Sequence, residues 1–175
     1  MTPDFQRQRN DRDEIWWRLN LYCRAVDRRD YPLIREVFWP DAVIDSGPLL
    51  GTPEDFIVSR SSDPKPPAHS QHHLTTHLCE VDGDVAFAET YWIFRGGEPG
   101  ASPAVGTGRY LDRFERRDGA WKIAFRYSLM DLPGETMAIA PAPAEDNPMF
   151  ANGVTARGPA DPSYRRPWVN IRPNP

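Results

Sequence analysis

The chain has 175 residues, 39% of them hydrophobic, which is enough for one domain with a buried core and short for two. Its 25 acidic and 21 basic residues give a formal charge of −4 and are mixed along the sequence, so no broad basic surface forms and a nucleic-acid partner is not expected. The polar start MTPDFQRQRNDRDE and the lack of any apolar run long enough to span a bilayer predict a cytoplasmic protein without membrane association.

In DRDEIWWRLNLYCRAVDRRDY, residues Ile15, Leu19, Tyr22 and Val26 recur at the spacing of one helical face, with Trp16 and Cys23 on its flank. A first amphipathic helix is predicted there. Asp30 is placed to cap a second helix, with Pro32 tolerated in its first turn, Leu33, Ile34, Val37 and Phe38 as its apolar side, and Pro40 as its stop. AVID then reads as a short strand, and GTPEDFIVSR as a third helix with Thr52 as cap, Pro53 at the first position and Asp55 adding first-turn charge.

After the loop SSDPKPP the pattern changes to β-prone runs broken by Asp82-Gly83 and Asp118-Gly119, each a two-residue hairpin signal. The reading is a four-stranded antiparallel meander following three helices, an α+β order with the helices on one face of a curved sheet. GGEPGASPAVGTG lies between two strands rather than opening a helix, so it is read as a long flexible loop near a pocket mouth, not a phosphate-binding turn. From Pro133 onward nine of 43 residues are proline, which excludes long helices and central strands. The same stretch carries Met149, Phe150, Tyr164, Trp168, Val169 and Ile171, so it is expected to lie extended across its own domain or a neighbouring subunit. The organisation is therefore a domain at residues 1–132 and an extended proline-rich tail at 133–175.

Two cysteines, Cys23 and Cys79, fall in a predicted helix and a predicted strand, where they read as small buried hydrophobes rather than a disulfide or zinc framework. All four histidines lie in AHSQHHLTTHL. As a helix this segment would stack His69, His73 and His77 on one face and suggest a metal site. Thr75 and Thr76, the preceding proline loop and the following hairpin favour a strand instead. On a strand His73 and His77 share a face roughly 13 Å apart, too far to close one metal shell. His72 and His73 point to opposite faces, and His69 is read as solvent-facing. No metal is expected, and at most one of these histidines works with a partner from the helical half. Asp27 sits where the first helix's buried stripe meets solvent. It is either a solvated residue of DRRD or a carboxylate reaching into a cavity between helix and sheet.

Three stretches, YCRAVDRRDYPLIREVFWPDAVID, QHHLTTHLCEVDGDVAFAETY and GRYLDRFERRDGAWKIAFR, together resemble the SnoaL-like branch of the NTF2-like superfamily over roughly residues 10 to 132. The resemblance implies a cone: helices packed on a strongly curved, mostly antiparallel sheet around a pocket. Members of this superfamily include dehydratases, dehydrochlorinases and a formaldehyde lyase, several using an Asp-His dyad. By the motif match the family aspartate falls on Asp27 and the family histidine on His73, with His72 one register step away. Tyr22 matches a tyrosine of the bile-acid dehydratases, and Arg126 an arginine of the dehydrochlorinase. Arg95 falls near a pocket position filled differently in other members, and His77 replaces a common asparagine.

These assignments imply a lyase without cofactor: His73 as base, Asp27 as its orienter, Tyr22 and Arg126 stabilising developing charge. The expected substrate is a small hydroxylated aromatic or cyclic compound that loses water or formaldehyde. Arg95, His77, His72 and Trp92 are the candidate substrate contacts. Each has a structural alternative: Tyr22 as core packing, Arg126 and Arg95 as surface strand residues, and Trp92, like Trp16, Trp17, Trp39 and Trp121, as core or interface. Two other functions share the same features, an enolate-type isomerase and a non-catalytic ligand-binding or small-subunit assembly domain of a ring-hydroxylating oxygenase. A homodimer or homotrimer is expected.

Overall fold

The computed structural model describes residues 3–46, 49–64, 66–132 and 158–160. The predicted stripe becomes the buried side of helix α1 (Pro3–Arg28), with Ile15, Leu19, Tyr22, Cys23 and Ala25 all in the core. The helix starts earlier than the apolar pattern does, at a proline that a first turn accepts. It ends in a Schellman motif: Asp30 N–H donates to Ala25 C=O at 2.8 Å and Arg29 N–H to Val26 C=O at 3.2 Å, with Arg29 left-handed at φ 53°. Asp30 then caps helix α2 (Tyr31–Val37), its Oδ1 accepting from Leu33 N–H at 3.2 Å. One residue thus closes the first helix and opens the second.

Strand β1 (Phe38–Asp45) begins sooner than AVID, and a two-residue strand β2 (Leu50–Gly51) pairs back on it. Helix α3 (Pro53–Ser61) starts with the capping box of Thr52 and Asp55. The meander follows as β3 (His69–Asp82), β4 (Val85–Gly97), β5 (Ala104–Arg117) and β6 (Ala120–Leu132). The six strands order as β2-β1-β6-β5-β4-β3, with β1 parallel to β6 and all other neighbours antiparallel. Three helices on a curved mixed sheet make this an α+β fold of the NTF2-like cone type.

Both hairpins are two-residue turns. Asp118 and Gly119 carry φ of 53° and 80°, the type I′ signature. The first turn is centred on Gly83 and Asp84 instead of Asp82-Gly83: Asp82 still pairs with Val85, and Gly83 alone has positive φ. That is the type II′ pattern, with glycine at the first central position. The stretch read as a flexible loop is mostly strand, since β4 runs to Gly97 and β5 resumes at Ala104. Its glycines serve packing. A Cβ on Gly108 would lie 2.4 Å from the Trp92 ring and 2.0 Å from Leu129 C=O, so only glycine lets that ring rest on the strand.

The core lies between the helices and the inner sheet face, around Phe38, Ile44, Phe56, Phe114, Trp121 and Ile123. The outer face keeps Leu78, Phe87 and Ile93 exposed. At the hairpin end Asp11 of α1 accepts from Trp121 Nε1 at 2.9 Å and from Arg116 Nη1 at 2.8 Å, which ties the helix to β5 and β6. Among the described residues no helix is long and apolar enough to cross a membrane. The tail residues Met149, Phe150, Tyr164, Trp168, Val169 and Ile171 lie outside the described residues.

Candidate active site

Asp27 occupies the last turn of α1, where the helix dipole disfavours a carboxylate by about 0.3–1 kcal/mol. Two donors from a single residue of β3 offset that cost. His72 main-chain N–H donates to Asp27 Oδ2 at 2.8 Å, and His72 Nδ1 lies 2.6 Å from Asp27 Oδ1. Both side chains are largely buried, and the imidazole is further packed by the Phe94 ring at 5.0 Å between centroids. A carboxylate on Nδ1 fixes that nitrogen as the protonated one and leaves Nε2 as the acceptor on a ring that lines a cavity.

The histidine that meets Asp27 is therefore His72 and not His73. His73 stands opposite Ile93 on the outer face and is exposed. The reason is a bulge in β3. Leu74 pairs with Trp92 and the next pair is His77 with Thr90, so two residues of β3, Thr75 and Thr76, stand against one of β4. One extra residue reverses the alternation. Ser70, His72 and Leu74 face inward before it, and His77, Cys79 and Val81 after it. His73 and His77 consequently lie on opposite faces instead of sharing one. His77 accepts or donates at Nδ1 with Thr90 Oγ1 at 2.9 Å and packs on the Trp16 ring at 4.9 Å. It is outside the cavity lining, its Nε2 is buried without a partner among the described residues, and burial lowers its pKa.

The cavity, of about 300 Å³, is walled by Tyr22, Tyr31, Phe56, Trp92, Phe94 and Tyr110 together with His72, and by Ser46, Ser70 and Ser128. Arg29, Arg60 and Asp63 are also in the lining. Burial raises the pKa of the Tyr22 and Tyr110 hydroxyls, so both remain protonated donors at neutral pH. The Trp92 indole N–H is buried and has no acceptor among the described residues.

Arg126 is not part of that lining. A second bulge, in β6, pairs Arg113 with Phe125 but Phe114 with Ile123, leaving Ala124 extra. Trp121 and Ile123 point inward before it and Arg126 after it, while Phe125 and Tyr127 turn outward. Arg126 is completely buried, in a two-bond ion pair with Asp112: Nε–Oδ1 and Nη2–Oδ2 are both 2.7 Å. Its guanidinium carbon lies 4.0 Å from the ring centroids of Tyr22 and of Tyr110. It supports the two tyrosines that face the cavity from behind. Burial pushes the Asp112 carboxyl up while the guanidinium draws it back down, and the same carboxylate raises the pKa of Arg126. The two short charged bonds hold the pair ionised.

Arg95 is exposed, one step out of phase with the inward Trp92, Phe94 and Gly96 of β4, and does not reach the cavity. Tyr110, Arg29, Arg60 and the serines were not singled out in the sequence. Tyr110 had a usable signal, the inward alternation Gly106, Gly108, Tyr110, Asp112, Phe114 along β5. The arginines sit at helix ends and had none. Among the described residues no three potential metal-ligating side chains converge.

A helix layer closing a curved sheet over an aromatic-walled cavity, with a helix carboxylate and a strand imidazole in contact at its wall, defines a pocket-forming cone domain. The sequence agrees: the SnoaL-like domain model matches residues 7–127, and the chain belongs to that family within the NTF2-like superfamily. Among solved structures, LinA is similar, with a TM-score of 0.67 at 21% identity over 82% of this chain and 100% of that one. A hexachlorocyclohexane dehydrochlorinase, LinA Type2, superposes with a TM-score of 0.68 at 20% identity over 81% of this chain and 99% of the other. A scytalone dehydratase candidate from Novosphingobium aromaticivorans gives 0.66 at 13% identity, covering 80% and 96%. These likenesses show the fold. A comparison with curated protein sequences finds no match.

Proposed function

We propose that this protein is a cofactor-independent lyase that dehydrates a small hydroxylated aromatic or cyclic compound, with His72 as general base and Asp27 as its orienter. The contact between Asp27 Oδ1 and His72 Nδ1 at 2.6 Å, on the wall of an aromatic cavity, carries this reading. His72 Nε2 takes a proton from the carbon next to the one bearing the hydroxyl. The C–H electrons become the new double bond, the C–O bond breaks, and the imidazolium returns the proton to the departing oxygen, so that one water leaves. Asp27 stabilises the imidazolium and holds its tautomer. Tyr22 and Tyr110, kept protonated by burial, and the unpartnered Trp92 N–H donate to substrate oxygens. Arg126 positions the two tyrosines without touching the substrate. The homo-oligomer expected from the sequence finds support in the exposed apolar residues of the outer sheet face.

The test is a screen of hydroxylated aromatic compounds by mass spectrometry for loss of water, followed by variants. With a hit in hand, Asp27→Asn and His72→Ala are each expected to lower kcat by about 100-fold or more, in line with general-base catalysis. His73→Ala is expected to retain it. Equal loss in His73→Ala, or full activity in His72→Ala, refutes the assignment. A product isomeric with its substrate would replace elimination by double-bond migration through the same pair.

A further inference from the structure

We infer that the ligand of this cavity is a small aromatic acid whose carboxylate is received by Arg29 and Arg60. The inference rests on the reading of the cavity as a substrate site and adds the chemical class. Three observations carry it. First, two arginines, Arg29 and Arg60, are among the lining residues against one acidic residue there, Asp63, which has an interaction of its own. Among the described residues neither Arg29 nor Arg60 has a carboxylate partner; Arg60 lies over the Phe56 ring at 5.1 Å, and its charge is felt at the Tyr22 hydroxyl.

Second, Arg29 occupies the left-handed position that closes α1, at φ 53°. Glycine is the residue that takes this conformation without a Cβ penalty, so an arginine held there, at a residue of the cavity lining, is a strained choice. Third, the cavity is ringed by Tyr22, Phe56, Trp92 and Tyr110, and Trp92 Nε1 is a buried donor lacking an acceptor among the described residues. Such a donor calls for a ligand oxygen. Flat apolar walls with two arginines in the lining match an aromatic ring bearing a planar anion, and a guanidinium fork suits a carboxylate.

Binding tests this without turnover. Cinnamate and the neutral cinnamamide are titrated by isothermal calorimetry into the wild type, Arg29→Gly, Arg60→Gln and the double variant, with thermal unfolding of each. The acid is expected to bind the wild type about tenfold or more tighter than the amide, as charge-assisted pairing gives. In the double variant that preference falls to within about threefold. Arg29→Gly is expected to be at least as thermostable as the wild type while binding the acid more weakly, a combination that a merely structural arginine does not produce. Equal or tighter binding of the amide, no saturable binding of either, or full preference in the double variant overturns the inference. Each of those results leaves the His72–Asp27 assignment to its own turnover test, and an inactive dyad leaves this binding result in place.

Discussion

Replacing Arg126 by methionine isolates the buried ion pair behind the cavity. The substitution keeps roughly the volume of the stem and removes the guanidinium from between Asp112, Tyr22 and Tyr110. Asp112 is left fully buried without its two charged bonds. Breaking a buried pair from one side costs about 3–5 kcal/mol, and the cation–π contacts to Tyr22 and Tyr110, with a longer one to Phe38, add about 0.5–2 kcal/mol each where desolvated. Against a domain stability of about 5–15 kcal/mol this is close to unfolding. The loss also has a pH signature. Without the guanidinium only burial acts on Asp112, so its folded pKa stands well above the unfolded one. Stability from such a group is present below the unfolded pKa and is lost as pH rises through the folded value. Urea unfolding followed by tryptophan fluorescence should therefore show Arg126→Met far weaker than wild type at neutral pH, with the gap narrowing in acid. Adding Asp112→Leu should recover most of the loss, because both buried charges are then gone. A loss of only about 0–1 kcal/mol, typical of a surface pair, or no recovery in the double variant, refutes the account.

The half-buried His77 gives a second pH dependence, of opposite sign. Its folded pKa is lowered by burial, so the unfolded chain binds a proton first and stability falls as pH drops below about 6.5. The difference in unfolding free energy between wild type and His77→Gln, measured from pH 8 to pH 5 by urea titration, should shift against the wild type on the acid side, whereas a constant difference excludes the effect. Burial pushes the Cys23 thiol up to about 12 and the Cys79 thiol up to about 11. Neither is expected to react with a thiol-specific disulfide reagent at neutral pH until urea unfolds the chain, and a rapid stoichiometric reaction of the native protein would contradict this burial.

The helices were legible because their signals are local. The apolar stripe of α1, Asp30 as the cap of α2 and the Thr52–Asp55 box of α3 each depend on residues within a turn or two. The Asp118-Gly119 hairpin was legible for the same reason. The face on which a strand residue points was legible only up to the first bulge. The extra residue at Thr75–Thr76 puts His72, and not the His73 on which the motif match fell, in phase with the inward Ser70 and Leu74, and the extra Ala124 brings Arg126 onto the face of Trp121 and Ile123. Nothing in the two threonines or in the alanine marks a bulge, because the misfit belongs to the pairing with β4 and with β5. The Arg126–Asp112 pair, fourteen positions apart across a hairpin, is a register fact of the same kind. The arginines of the cavity rim depend on how helix ends converge, and no spacing rule reports that.

The Asp27 carboxylate is anchored to β3 partly through main-chain nitrogen 72, a donor that nineteen of the twenty amino-acid types supply. Its seat is thus independent of the side chain at that position. A lineage could exchange the imidazole for another proton carrier, or for none, and still inherit a poised acid at the helix end. Such a frame offers a route for one cone to drift between catalysis and simple ligand storage without rebuilding its wall.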